Sequence, residues 1–139
     1  KDLKSFPTKR QGVAPPARGE IVVNYGDPGE DGIASQGIVI ETRGEAQVVA
    51  PHDGQVVFRG PFRGYGEILI IEHRGGYHTL LAGLGRTDAV VGQWLLAGEP
   101  VGTMDFPREH KPRLYVELRR GGRPINPWPW LEARISKVE

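Results

Sequence analysis

The feature of this sequence that most constrains its fold is how often glycine and proline interrupt it. The 139 residues include 20 glycines and 12 prolines, so few windows are long enough for an uninterrupted helix. The apolar residues come instead in short runs rich in valine and isoleucine, which pack well on a pleated sheet. The sequence therefore predicts an all-β domain with few or no helices.

A single strand near the C-terminal end carries the most informative pattern. Apolar and polar residues alternate strictly from Pro112 to Arg119, and successive side chains of a strand point to opposite faces. Leu114, Val116 and Leu118 therefore share one face, which we expect to join the core. The opposite face is expected to line a surface or a groove, and it carries Arg113, Tyr115, Glu117 and Arg119.

The strand continues into a glycine turn, Gly121-Gly122, and an Asn-Pro-x-x-Trp-Leu ending at Leu131. This frame resembles the LytM-type, or lysostaphin-like, zinc endopeptidases of bacterial cell walls. In that family the strand reads His-x-His, followed by an apolar residue and Glu. The apolar residue and Glu are present here, but Arg113 and Tyr115 occupy the positions of the two histidines.

The other chemical positions of that family are also substituted. Its first ligand pair, His-x-Gly-x-Asp, falls on Ser35 and Val39, and a further catalytic histidine falls on Gly83. Zinc in such a site needs three ligands drawn from His, Cys, Asp or Glu, with an open position for water. Ser35, Val39 and Tyr115 do not supply that set. We therefore expect a degenerate domain that is not an enzyme and has no catalytic residue, metal or cofactor.

The pattern is most similar to the degenerate LytM domains of EnvC-like proteins, which activate periplasmic N-acetylmuramoyl-L-alanine amidases that split daughter cells. The resemblance covers roughly residues 19–131 and implies an antiparallel β-sheet or sandwich of the duplicated hybrid motif type. It also implies that an autoinhibitory helix of the amidase binds in the former substrate cleft, whose lining is apolar and aromatic with a cationic edge. The expected groove residues are Ser35, Val39, Tyr65, Ile68, Leu81, Gly83, Arg113, Tyr115 and Arg119.

Charge and composition limit the class of partner. The net charge is +1 at neutral pH and cysteine is absent, so neither bulk nucleic acid nor a thiolate metal site is expected. Residues 1–18 are basic and contain three prolines, and we interpret them as a linker; residues 132–139 are a polar tail. The chain opens without Met and shows no signal peptide. We expect a fragment of a periplasmic protein whose missing region, a coiled coil in EnvC-like proteins, contacts the division machinery.

Two other functions remain open at this level. A passive peptidoglycan-binding module would use cations to meet anionic wall polymers, and a residual hydrolase would cleave the wall with zinc. The missing ligands argue against the hydrolase. The cations available to a wall-binding module are Arg108, Lys111, Arg113, Arg119, Arg120 and Arg123.

Histidines also occur away from the expected groove. His52 precedes Asp53 in a predicted turn, and His73 and His78 flank a predicted hairpin. An acid–base pair or a metal site is conceivable at such positions, but a zinc site there lacks a third ligand. We interpret these residues as structural.

Overall fold

Almost all of the regular structure is β-strand, as the sequence predicts. The computed structural model describes residues 2–7, 13–62, 64, 66–131 and 136–137. Within this part the only helical segment is a three-residue 3-10 turn at Trp128–Trp130, and no helix is long and apolar enough to cross a membrane. The strands are β1 (Glu20–Val23), β2 (Ile38–Glu41), β3 (Gln47–Val49), β4 (Gly54–Pro61), β5 (Glu67–His73), β6 (Tyr77–Leu84), β7 (Arg86–Thr87), β8 (Trp94–Leu95), β9 (Pro100–Thr103), β10 (Arg113–Arg120), β11 (Arg123–Ile125) and β12 (Ser136–Lys137).

Two sheets organise the described residues. A nine-stranded sheet has the order β12-β1-β2-β10-β6-β5-β4-β8, with β11 paired to β10, and a three-stranded sheet has the order β3-β9-β7. Every pair is antiparallel except β1 with β12, which is parallel. The strand with the strict alternation, β10, therefore lies inside the larger sheet, between β2 and β6.

The two faces of β10 differ as the alternation predicts. Leu114, Val116 and Leu118 are buried in the main hydrophobic cluster, which also includes Val48 and Val101 of the smaller sheet. Burying a large aliphatic side chain contributes about 1.5–3 kcal/mol, so these positions fix which face of β10 turns inward. We call the opposite face of the nine-stranded sheet the outer face; on β10 it carries Arg113, Tyr115, Glu117 and Arg119.

The most apolar strand, β5, is buried less completely than the sequence predicts. It lies inside the sheet, but Glu72 on its outer face is exposed and Ile70 is only partly buried, whereas Leu69 and Ile71 are fully buried. The apolar sequence of residues 67–73 predicts a strand that is buried on both faces, and this prediction is wrong. An antiparallel sheet needs only one face against the core, and the apolar outer residues of β5 remain accessible.

The first 18 residues are not simply a linker, which corrects the sequence-based interpretation. Leu3 and Phe6 are buried against the domain, as are Val13 and Ala17 further along. The Phe6 amide donates to the Arg74 carbonyl at 2.7 Å. The described part of this segment is therefore integrated into the fold. In the predicted tail, residues 136–137 form β12 beside β1.

Phe6 is the centre of an aromatic cluster that accounts for two of the histidines outside the groove, His52 and His73. Its ring stacks on Tyr77 with 4.3 Å between centroids and also contacts three other rings. His73 Nδ1 lies 2.8 Å from the Asp53 carbonyl oxygen and therefore donates to it, while Nε2 accepts from the Thr79 hydroxyl at 2.8 Å. Both ring nitrogens of His73 are therefore hydrogen-bonded within the fold. The cluster consists of Phe6, His52, His73, Tyr77 and Trp130.

Candidate functional site

A groove opens on the outer face where β2, β10 and β6 lie side by side. Its volume is about 670 Å³. Four of the residues expected from the sequence line it, namely Val39, Gly83, Arg113 and Tyr115. The other lining residues are Phe62, Gly64, Gly66, Ala82, Leu84, Asp105 and Pro112.

Tyr115 forms the floor of this groove. In the sheet it is directly opposite Val39 on one side and Ala82 on the other. Its ring lies over Gly37, where an added Cβ would be only 2.9 Å from Tyr115 Cζ, so the absent side chain leaves room for the ring. Its hydroxyl donates to Glu117 Oε1 at 2.6 Å. Burial, this hydrogen bond and the nearby carboxylate raise the pKa of Tyr115 above its ordinary value, so the phenol remains a neutral donor.

Glu117 is the buried charge of the site. Only 4% of its surface is exposed, and its two oxygens accept hydrogen bonds from the Tyr115 hydroxyl and from Arg119 Nε. A buried carboxylate without partners is strongly unfavourable, whereas a paired one is tolerated. Glu117 and Arg119 both belong to β10, so this ion pair lies within one strand. Arg119 is thereby held to its own strand.

Arg113 is paired in the same way at the other end of the groove. Its Nε donates to Glu41 Oε2 at 3.2 Å across the β2–β10 pair. Both side chains are partly exposed, so this ion pair contributes at most about 1 kcal/mol. The pairing matters more for recognition. Both arginines that were expected to meet a partner already have a carboxylate beside them, so neither needs a carboxylate from the partner.

Gly83 interrupts the regular pairing of β5 with β6. Ile68 pairs with Ala82 whereas Glu67 pairs with Leu84, so Gly83 is an extra residue at a register shift. Its φ is +107°, and an added Cβ would lie 2.5 Å from the Arg113 carbonyl oxygen. Position 83 therefore accepts a side chain only if the backbone moves. The irregularity turns both Ala82 and Gly83 toward the groove.

Comparison with known proteins identifies this arrangement. Residues 34–127 match Peptidase family M23. The chain belongs to this family. The murein hydrolase activator EnvC of Escherichia coli K12 is 32% identical over 117 residues, which are 84% of this chain and 28% of EnvC. The murein hydrolase activator NlpD of Salmonella dublin is 33% identical over 125 residues, which are 86% of this chain and 31% of NlpD. This chain therefore spans less than a third of either relative.

The M23 fold is also recognisable from structure alone. The solution structure of lysostaphin matches 97% of this chain and 61% of the lysostaphin chain with a TM-score of 0.72, at 17% sequence identity. The prediction of a lysostaphin-like fold and of a LytM domain similar to EnvC-like activators is confirmed. The same family also contains peptidases, so membership alone does not assign an activity.

The M23 domain described here does not offer a set of zinc ligands in its groove. Ser35, Val39 and Tyr115 stand where the family's ligands are expected, and Val39 has no donor atom. The carboxylates nearby do not complete a set, because Asp105 in the lining is exposed and lies 3.9 Å from Arg108, and the buried Glu117 already accepts two hydrogen bonds. Within the described ranges no three side chains of His, Cys, Asp or Glu come together in a way that would hold a metal ion. These residues do not fit zinc.

Three residues assigned to the groove from the sequence lie elsewhere. Leu81 is fully buried in the core because it is opposite Val116 on the inner face, so its assignment to the groove wall is wrong. Ser35 is beside the groove, where its hydroxyl donates to the Gly37 carbonyl at 2.8 Å. Arg119 lies beyond Glu117, outside the groove lining.

The remaining two assignments have different outcomes. Ile68 lies on the outer face opposite Ala82, with 8% of its surface exposed, and Tyr65 falls outside the described residues.

Sequence reasoning missed Ala82 and Phe62. Strict alternation along β6 would place residues 81 and 83 on one face and residue 82 on the other. Because Gly83 is an extra residue at the register shift, Ala82 and Gly83 both line the groove. Phe62 carries a signal that could have been used, since it is an aromatic residue in a glycine-rich loop.

Proposed function

We propose that this domain is a non-catalytic activator of periplasmic N-acetylmuramoyl-L-alanine amidases, acting in peptidoglycan splitting at cell division. Two relatives that align over most of the chain are named murein hydrolase activators. The groove residues do not fit zinc, so the domain would act by binding rather than by hydrolysis. The part of the longer protein that this chain does not span would bring it to the division site.

The observation that carries this proposal is the internal pairing of the groove charges. Glu117 is satisfied by Tyr115 and Arg119, and Arg113 is beside Glu41. Asp105, which also lines the groove, lies 3.9 Å from Arg108. An apolar partner surface can therefore cover the groove without burying an uncompensated charge, which would be costly. An amphipathic helix has such a surface along one side. The helix proposed here is the autoinhibitory helix of the amidase.

Activation by this route requires no chemistry from the domain. The amidase exchanges between a closed state, in which its helix blocks the active site, and an open state in which the helix is displaced. The domain binds the displaced helix and so shifts the population toward the open state. A complete shift from 1:99 to 99:1 needs about 5.5 kcal/mol of differential binding. Tyr115 and Val39 would contribute through apolar contact, and Arg119 through its exposed guanidinium edge.

The test is dye release from labelled sacculi by a periplasmic zinc amidase, with and without the domain. The domain alone should release no dye, and the mixture should release more than the amidase alone. Tyr115→Ala and Arg119→Ala should reduce the stimulation, whereas Arg123→Ala should not, because Arg123 is an exposed residue of β11 outside the groove. Absence of stimulation, with the domain sedimenting with sacculi, would replace the proposal with a passive peptidoglycan-binding module.

A further inference from the structure

The apolar surface of the outer face continues well beyond the groove. One row runs across four strands through directly opposed residues, Val39, Tyr115, Ala82 and Ile68. A second row lies two residues along the strands and begins at Glu117. It continues through the opposed residues Leu80, Ile70 and Phe58. Directly opposed residues point to the same side of a sheet, so the two rows form one surface, which we call the apolar band.

The far end of this band is more exposed than its centre. The Phe58 side chain is 48% exposed, and Leu80 and Ile70 are only partly buried. A register shift between Val56 and Phe58 leaves Val57 as an extra residue, itself 40% exposed. Exposed apolar side chains that adjoin a groove extend the surface available for contact. The band therefore offers an anchor on β4 that lies outside the groove.

Ion pairs border the band on both sides. Along one edge, Arg113 is paired with Glu41. Along the other edge, Glu117 is paired with Arg119, and the His78 and Glu72 side chains are 3.4 Å apart. A helix lying along β10 would cover two of these pairs, and pairing reduces the cost of desolvating their charges but does not remove it. A helix lying across the strands would cover the apolar rows between them and, among these charges, only Glu117, which is already buried and accepts two hydrogen bonds.

The dimensions of the band fit a helix in the second orientation. The five neighbouring strands of the band are, in sheet order, β2, β10, β6, β5 and β4. They span about 19 Å at about 4.8 Å between neighbours, and the two rows are about 7 Å apart. An α-helix is about 10 Å wide and rises 1.5 Å per residue, so about 13 residues cover the band. Its apolar side chains would recur every three or four residues over about four turns.

We propose that the partner helix binds across the strands, with one end over Val39 and Tyr115 and the other end over Phe58. This inference rests on the proposed function, and it specifies the geometry of that interaction. The partner segment is an amphipathic helix whose contact stripe is apolar and uncharged for about 13 residues, while a polar residue on its flank meets Arg119 at the border of the band. Phe58, Ile70 and Leu80 are then contact residues, although they lie outside the groove.

The first test is the effect of the band on stimulation of an intact zinc amidase. Phe58→Ala and Leu80→Ala should each raise the domain concentration needed for half-maximal stimulation about tenfold, the usual effect of losing an interface anchor. Leu96→Ala is the matched control, because Leu96 is also an exposed apolar residue but follows β8 and lies off the band. Thermal unfolding of each variant confirms that the fold is retained.

The second test is direct. A photoreactive p-benzoylphenylalanine at position 58 should cross-link to the amidase within its autoinhibitory helix, as mapped by mass spectrometry. The inference is overturned if the unmodified domain stimulates the amidase, neither variant weakens that stimulation and the cross-link falls outside the helix. The helix is then confined to the groove, and the proposed function stands. If the unmodified domain gives no stimulation at all, the proposed function itself fails.

Discussion

The groove and the aromatic cluster use similar residue types but differ in what completes them. In the cluster, Phe6 arrives from a distant segment and fills the space between Tyr77 and the histidines. In the groove, the Tyr115 hydroxyl is bonded within the fold, but the groove beside its ring remains open. The chain fills the space around the first site itself, whereas the space beside the Tyr115 ring stays open. The difference separates residues that stabilise the domain from residues that would bind a partner.

The largest effect is expected from breaking the aromatic cluster. Phe6→Ala removes a ring that is 2% exposed and should lower the free energy of unfolding by about 3 kcal/mol. Phe58→Ala removes an equally large ring from the surface and should change it by less than about 0.5 kcal/mol. Chemical denaturation measures both. Stimulation of the amidase per folded molecule should respond in the opposite order, and equal effects of the two variants would contradict the comparison.

The cluster should also make stability depend on pH. Burial lowers the pKa of His73 from 6.5 to about 4, with a smaller contribution from His52, although the hydrogen bond to the Asp53 carbonyl opposes the shift. Between these values the unfolded chain binds a proton that the native state does not bind, so stability falls as the pH decreases from about 6.5 to about 4.

The loss over this range should reach about 3 kcal/mol. It can be measured as the denaturation midpoint at several pH values. His73→Gln should be less stable at pH 7 but should lose this part of the pH dependence. An unchanged pH profile in that variant would show that another group is responsible.

The groove also contains a residue whose role is structural, Gly83. Gly83→Ala introduces a Cβ that would lie 2.5 Å from the Arg113 carbonyl oxygen at a φ of +107°, and it should cost about 2 kcal/mol. Gly92→Ala is the matched control, because Gly92 also has a positive φ of +91° but faces open space. It should cost about 1 kcal/mol. Thermal unfolding distinguishes the two, and equal losses would mean that the close contact is relieved at no cost.

The smallest effect is expected from removing one hydroxyl group. Tyr115→Phe keeps the ring over Gly37 but loses the hydrogen bond to Glu117, so the domain should lose about 1 kcal/mol of stability. If the ring provides the binding contact, this variant should retain most of the amidase stimulation that Tyr115→Ala loses. A loss as large as that of Tyr115→Ala in the dye-release assay would assign the contact to the hydroxyl group instead.

The alternation within single strands made much of the fold predictable. It places Leu114, Val116 and Leu118 in the core, and the structure confirms this. The spacing of the family motifs also located Val39 and Tyr115, which the structure brings into one groove. That this groove binds a partner stays a prediction.

The features that were missed depend on interactions between distant parts of the chain. Phe6 is a single aromatic residue among polar and proline residues, so no periodicity indicated that it is buried. Leu81 was misassigned because the register shift at Gly83 can be recognised only when the pairing with the partner strand is known. The pairing of Glu117 with both Tyr115 and Arg119 requires side-chain conformations that residue spacing does not determine.

The backbone at Gly83 also limits which side chains this groove can acquire. A histidine introduced at this position would have to adopt a left-handed conformation and would meet the Arg113 carbonyl oxygen. A substitution at position 83 therefore places a functional side chain in the groove only if β6 and β10 first move apart, so the main chain as well as the side chains restricts the chemistry available there.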